Sequence, residues 1–281
     1  MRSVIVTGAA QGLGRAHALA LAEAGARLVL NDLDADALAD VAARTGAVAV
    51  PGDIADWDFA AALVDRAVAA HGRLDALVNN AGLARDRMVV NLAEDEWDAV
   101  MRVNLKGTAA PLRHAAAHWR ARAKAGEDVA ARVVNTTSGA GLMGSVGQAS
   151  YSAAKAGIAA LTVVAAAELA RYGVTVNAIA PSARTAMTET VFADAMRAPD
   201  TGFDAMAPDN VSPLVVWLAG ADSGDVTGRV FEVSGGAVSV ADGWQHGETR
   251  DAGRRWHPDE LGPVVRDLLS RAPAPAAVYG A

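Results

Sequence analysis

The stretch Ser3-Val4-Ile5-Val6-Thr7-Gly8-Ala9-Ala10-Gln11-Gly12-Leu13-Gly14 decides the fold. Its first half is a continuous β-prone run, as suits a strand buried on both faces. The run passes straight into Gly8, Gly12 and Gly14, and a helical stretch over residues 13–24 follows. Glycines at such a turn let the backbone fold back tightly and approach a pyrophosphate, which then lies at the helix N-terminus. The spacing is GxxxGxG rather than the common GxGxxG. A glycine-rich turn alone is a weak signal; the strand before it and the helix after it give it weight.

Outward from this turn the same rhythm repeats. Short apolar runs at 27–30, 47–50, 74–79, 132–135, 174–179 and 229–233 join 3–6 as strand candidates. Ala-rich helical stretches at 35–44, 57–70, 94–122, 152–171 and 211–219 lie between them, the long one open to a break. Strand–helix alternation implies a parallel sheet with helices on both faces. The expectation is an α/β chain with one Rossmann-like, doubly wound domain of about seven parallel strands over residues 1–242. The polar segment 121–131 reads as a surface excursion. Residues 243–281 exceed what the domain needs and form a C-terminal extension. Its Leu261, Val264, Val265, Leu268 and Leu269 fall at 0, +3, +4, +7 and +8, a helical stripe. A helix starting near Pro258 or Asp259 and docked on protein is expected, either adding stability or reaching a neighbouring substrate pocket. Arg254 and Arg255 would then face an anionic group or remain a solvated pair.

Composition bounds the rest. The chain has 281 residues, 52% of them hydrophobic, and a net charge of −7, so nothing suggests a nucleic-acid partner. It has no cysteine, hence no disulfide or thiolate metal site. The six histidines show no ligand spacing; His114 and His118 are four apart but lack a third ligand, so no metal is expected. The first strand at Ser3 leaves no room for a leader, and no uninterrupted apolar run of about 18 residues is read as a membrane span. These features point to a cytoplasmic chain without a membrane partner.

Asp32 ends the second strand, 18 residues past Gly14, about where a carboxylate meets an adenosine ribose. It would accept hydrogen bonds from the ribose hydroxyls and repel a 2′-phosphate. No Arg or Lys lies in Ala9-Ala10-Gln11 or directly after Asp32, so NAD is the expected cofactor. Asp53-Ile54 follows the third strand, where Asp53 is read either as a partner of the adenine or as a turn residue. Asn80-Ala81-Gly82 follows the fourth strand with small residues that allow close approach. Tyr151 and Lys155 are four apart, on one helical face. The chain uses three lysines against 22 arginines, so a lysine here stands out. Its ammonium is expected to draw the phenol down from about 10 towards working pH.

Taken together, Thr7-Gly8-x-x-x-Gly12-x-Gly14, Asn80-Ala81-Gly82, Val103-Asn104-Leu105-Lys106-Gly107, Ser138, Tyr151-x-x-x-Lys155 and Asn177-Ala178-Ile179-Ala180-Pro181 resemble the short-chain dehydrogenase/reductase family over about residues 3–240. The resemblance implies Tyr151 as general acid/base and Ser138 as hydrogen-bond partner of the substrate oxygen. It implies Lys155 on the nicotinamide ribose and Asn104 on a water leading to Lys155. It extends the cofactor site to Gln11, Leu13, Leu33, Ile54, Pro181 and Thr185, and puts Gln148 beside the substrate. Pro181-Ser182 departs from the family's Pro-Gly, which puts the backbone there in question. Asn31-Asp32-Leu33, Gly12-Leu13-Gly14-Arg15-Ala16-His17-Ala18, residues 211–218 and residues 226–233 resemble a narrower group, the dehydrogenase module of the peroxisomal multifunctional β-oxidation enzyme and its bacterial 3-oxoacyl reductase-like relatives. That implies NAD-dependent interconversion of a 3-hydroxyacyl thioester and its 3-oxoacyl form.

A hydroxysteroid or other apolar-ring alcohol is the alternative substrate, since residues 187–209, expected to cover the substrate, contain Phe192, Met196, Phe203 and Met206. A catalytically silent dinucleotide sensor or scaffold is the alternative of another kind; it usually lacks one of the four catalytic residues, and all four are here. The helix at 152–171 is apolar nearly all round, so a partner face and a homotetramer are expected.

Overall fold

The computed structural model of the chain describes residues 1–185, 197–199, 201–241 and 243–280. One eight-stranded sheet runs in the order β3-β2-β1-β4-β5-β6-β7-β8. Its strands are β1 (Ser3–Thr7), β2 (Arg27–Asp32), β3 (Val48–Pro51), β4 (Ala76–Asn79), β5 (Ala131–Thr136), β6 (Val174–Ser182), β7 (Val230–Ser234) and β8 (Ala237–Ala241). Strands β1 to β7 pair in parallel, as expected, but β8 is antiparallel to β7 and was not foreseen. Gly235-Gly236 joins β7 to β8, with Gly235 at φ +54. A two-residue Gly-Gly loop is itself a hairpin signal, because the positive φ matches the twist of the flanking strands.

The helices are α1 (Gly12–Glu23), α2 (Ala35–Thr45), α3 (Trp57–His71), α4 (Glu94–Val100), α5 (Gly107–Lys124), α6 (Gly139–Met143), α7 (Ala149–Leu169), α8 (Ser212–Ala219) and α9 (Pro258–Arg271). Helices α1, α2 and α8 cover one face of the sheet and α3, α5 and α7 the other. Val4, Val6, Leu28 and Leu30 bury one face with Leu21, Leu38, Val215 and Leu218. Ile5, Val29, Leu77 and Val133 bury the other with Leu63, Ala115 and Trp119. Adjacent residues of one strand thus serve opposite layers, which is why these strands are apolar without alternation. The order of strands reverses between β1 and β4, and the crevice beyond their carboxyl ends is where such sheets bind ligands.

The stretch 94–122 is helical throughout, but a π-helix, Met101–Lys106, separates α4 from α5. The segment 121–131 is only partly an excursion, since α5 runs to Lys124 and β5 begins at Ala131. The segment Ala149–Tyr172 is long and apolar enough to cross a membrane, because alanines dominate it and charges are few. Here it forms α7 and the 3-10 turn Ala170–Tyr172 after it; α7 covers β6 and carries Tyr151 and Lys155. Ser182 lies in regular register opposite Ser234, and no non-glycine described residue has a positive φ, so serine replaces the usual glycine without strain.

Candidate active site

The glycine turn is held by Thr7 and Asn80. Thr7 Oγ1 accepts from the backbone N–H groups of Asn80 and Ala81, at 3.0 and 3.1 Å. Asn80 Nδ2 donates to the carbonyls of Thr7 and Gly8, each at 3.1 Å. A Cβ on Gly8 would come within 2.8 Å of Ala81 Cα, and one on Gly14 within 1.9 Å of the Gly8 carbonyl oxygen. Only glycine lets the β1–α1 turn and the residues after β4 approach this closely. Asp32 Oδ2 accepts from the Ala10 N–H at 3.0 Å and Oδ1 from the Asp34 N–H at 3.2 Å. The carboxylate is therefore anchored beside the glycine turn.

These residues open onto a cavity of about 580 Å³, a size typical of a small-molecule site. It is lined by Gly8, Gln11, Gly12, Leu13, Asp32, Leu33, Asp53, Ile54, Asn80, Ala81 and Gly82, and further along by Ser138, Gln148, Tyr151, Lys155, Pro181 and Thr185. Gly14 and Asn104 are not part of this wall. Gly14 is buried behind Gly8, and Asn104 lies buried in the π-helix. Thr185 Cγ2 would be 3.6 Å from a Cβ on Gly12, over the glycine turn. Of the expected substrate cover, residues 187–196 and 200, with Phe192 and Met196, lie outside the described residues; Phe203 is exposed.

Asp53 ion-pairs with Arg102 and accepts the Ala55 N–H at 2.9 Å. Burial pushes its carboxyl up, but the Arg102 and Ala55 hydrogen bonds outweigh that and hold it low. Of its two sequence readings the turn role is present, and the ion pair is added. Arg102 itself lines the cavity, 48 residues beyond Ile54 in sequence, so spacing near Asp32 gave no warning of it. Its charge is taken up by Asp53.

At the other end, Ser138 is the N-cap of α6, its Oγ accepting from the Ala140 N–H at 3.2 Å. Its hydroxyl is also hydrogen-bonded to the Tyr151 phenol. Lys155 is buried, and its Nζ donates to the Thr136 carbonyl at 2.8 Å and lies 5.5 Å from the centre of the Tyr151 ring. Burial pushes the Tyr151 phenol up to about 12, the Ser138 hydrogen bond pulls it back, and the Asp86 charge raises it further. Burial also lowers the Lys155 ammonium to about 8. The expectation of a depressed phenol is thus corrected: desolvation of the buried phenolate is the largest influence on Tyr151, and it raises the phenol.

Asn104 Nδ2 donates to the carbonyls of Leu83 and Val100, at 2.7 and 2.9 Å, while its Oδ1 is buried without a protein partner. A Cβ on Gly82 would stand 2.6 Å from that Oδ1 and 3.5 Å from Lys155 Nζ, so a side chain at 82 would fill the space between them. Gln148 Nε2 donates to Asp86 Oδ1 at 3.1 Å. Asp86 was missed by sequence reasoning, as were Thr136, Thr137 and Tyr279, which line the cavity. The helix pattern of the tail was legible, and α9 runs as expected from Pro258, but none of its residues is buried. Arg254 is paired with Glu260 on that helix.

The anchored carboxylate and the glycine turn suit a dinucleotide in this cavity, which Tyr151 and Lys155 also line. The sequence profile of the short chain dehydrogenase family matches residues 2–196. The chain is 48% identical over 280 residues to the hydroxyacyl-CoA dehydrogenase ChsB1 of Mycobacterium tuberculosis, covering 95% of this chain and 88% of that one. It is 38% identical over 248 residues to the peroxisomal multifunctional enzyme type 2 of Mus musculus, covering 84% of this chain but 32% of that enzyme. A crystal structure of a short chain dehydrogenase from Mycobacterium avium superposes with a TM-score of 0.90 at 58% identity, covering 100% of this chain and 98% of that one.

Proposed function

The chain belongs to the short-chain dehydrogenase family, an oxidoreductase acting on CH–OH groups, and we propose that it interconverts a 3-hydroxyacyl thioester and its 3-oxoacyl form with NAD. The observation that carries the cofactor reading is Asp32, whose carboxylate is anchored beside the glycine turn by the Ala10 and Asp34 N–H groups. A 2′-phosphate there would meet a like charge. At about 4 Å this costs about 1 kcal/mol in water and about 4 kcal/mol at a protein surface. The similarity to a hydroxyacyl-CoA dehydrogenase supports the thioester.

NAD, when bound, supplies the acceptor for the hydride that leaves the alcohol carbon. The protein's part is to hold the alcohol and take its proton. Ser138, fixed as an N-cap, orients the alcohol oxygen against the Tyr151 phenol. Tyr151 accepts the proton in oxidation and returns it in reduction. Lys155 favours the phenolate by its charge, the more so as Thr136 holds its ammonium in place. Asn104 Oδ1 and Lys155 Nζ flank the space that Gly82 keeps open, which suits a proton path from the phenol side. The reading includes a homotetramer, supported by exposed apolar residues on α7 and β8: Val163, Val164, Val238 and Val240.

The test is turnover of a 3-hydroxyacyl thioester with NAD and with NADP, followed as cofactor absorbance. The value of kcat/KM with NAD should exceed that with NADP by about tenfold or more, and Asp32→Ala should narrow the gap. Equal values would sink the cofactor reading. Turnover of simple secondary alcohols but not of the thioester would sink the substrate reading.

A further inference from the structure

The C-terminal extension leaves the sheet after β8, passes through α9 and returns to the cavity. Tyr279 and Gly280 line it, on the same side as Ser138. The return is tied by backbone hydrogen bonds. Tyr279 N–H donates to the Gly144 carbonyl at 3.2 Å, and Val146 N–H donates to the Tyr279 carbonyl at 2.9 Å. Ser145 and Tyr279 thereby form a parallel bridge. This bridge sits in the loop between α6 and α7, hence between Ser138 and Tyr151 in the chain. Two glycines seat the side chains of the extension. A Cβ on Gly139 would meet Tyr279 Oη at 2.9 Å and Cε2 at 3.1 Å; one on Gly144 would meet Val278 Cγ1 at 3.5 Å. The Tyr279 ring therefore rests directly on the residue after Ser138, with about half its surface, 49%, still exposed.

We propose that Tyr279 is a substrate-positioning residue: residues 278–280 form a strap that walls the substrate end of the cavity and selects what is attached to the alcohol carbon. A substrate held by its alcohol between Ser138 and Tyr151 meets the Tyr279 phenol with the adjoining part of the molecule. The ring offers that part an apolar face and one hydroxyl, which suits the short carbon–carbonyl stretch of an acyl thioester. The inference rests on the catalytic roles of Ser138 and Tyr151 proposed above, but not on the thioester itself.

The test compares wild type, Tyr279→Phe and Tyr279→Ala with 3-hydroxybutyryl-CoA and with 2-butanol, alongside NAD binding by fluorescence. Tyr279→Ala should lower kcat/KM for the thioester about tenfold, the scale of one pocket contact. Most of that should be in KM, with the 2-butanol value and the NAD Kd changed less than about twofold. Tyr279→Phe, which keeps the ring on Gly139, should retain the packing part and lose only what the hydroxyl contributes. Gly139→Ala, whose Cβ displaces the ring, should raise KM in wild type and add little on the Tyr279→Ala background. An unchanged KM in Tyr279→Ala overturns the proposal. So does an equal loss on both alcohols confined to kcat, and so do additive effects of the two substitutions. If the thioester is not turned over at all, the substrate reading has failed, and the same variants are compared on the secondary alcohol that is; a KM unmoved there overturns the strap on its own account.

Discussion

Tyr151 stands under opposing influences, and its neighbours decide how far it can ionise. Burial lifts the phenol to about 12, Ser138 pulls it down and Asp86 pushes it up. Asp86 is held by Gln148 at 3.1 Å, so its charge has a fixed place near the phenol. In the proposed role of Tyr151 alcohol oxidation needs the phenolate, and its rate should therefore rise with pH until the phenol is ionised. Removing the Asp86 charge removes a cause that raises the pKa. Asp86→Asn should shift the rising limb of kcat/KM for alcohol oxidation to lower pH, with reduction losing rate at correspondingly lower pH. A pH–rate series in both directions reads this; an unmoved or upward-shifted limb contradicts it. Tyr151→Phe is the reference, since loss of the proposed proton-transfer group should cost about 10²–10⁴ in rate and abolish the limb.

At the scale of elements, the contact between α1 and α8 carries a buried histidine. His17 is fully buried, its Nδ1 2.9 Å from Ser212 Oγ, and burial lowers it from 6.5 to about 3. A folded pKa below the unfolded one sets the sign. Above about pH 6.5 both states are neutral and the stability is complete. Below it the unfolded chain takes a proton that the native chain refuses, until the pH reaches about 3. In that window the group removes about 1.4 kcal/mol per pH unit. Urea unfolding at pH 7 and pH 5 should show wild type losing more stability than His17→Gln, although the variant is less stable at pH 7. Equal losses would mean that His17 is not the acid-sensitive group of this contact.

At the scale of the whole molecule, apolar surface remains where the single chain ends its own packing. Val163 and Val164 on α7 are 52% and 54% exposed, and Val238 and Val240 on β8 are 58% and 52% exposed. The stripe of α9 is likewise uncovered, with Leu261, Val265 and Leu269 open to solvent. Under the proposed tetramer, light scattering at micromolar concentration should give four times the chain mass of 28.6 kDa. Val164→Glu should shift the distribution to smaller species by placing a charge in a closed interface. A mass of one chain for the wild type would refute the assembly.

Local order is what the amino-acid sequence could determine by itself. The glycine turn at Gly8, Gly12 and Gly14, the strand–helix rhythm, the Tyr151–Lys155 pair and the helical stripe of the tail are set by spacing, because turns and periodicities depend on near neighbours. The eighth strand was also within reach, through Gly235-Gly236, but the exposed run after it lacks the apolar continuity of the inner strands. What only the tertiary structure decided depends on contacts between distant segments. Arg102 reaches Asp53 across 49 positions, and Tyr279 rests on Gly139 from the far end of the chain. The ionisation of Tyr151 was misjudged for the same reason. Sequence shows the ammonium four residues away, whereas the burial that raises the phenol is a property of every element packed around the site.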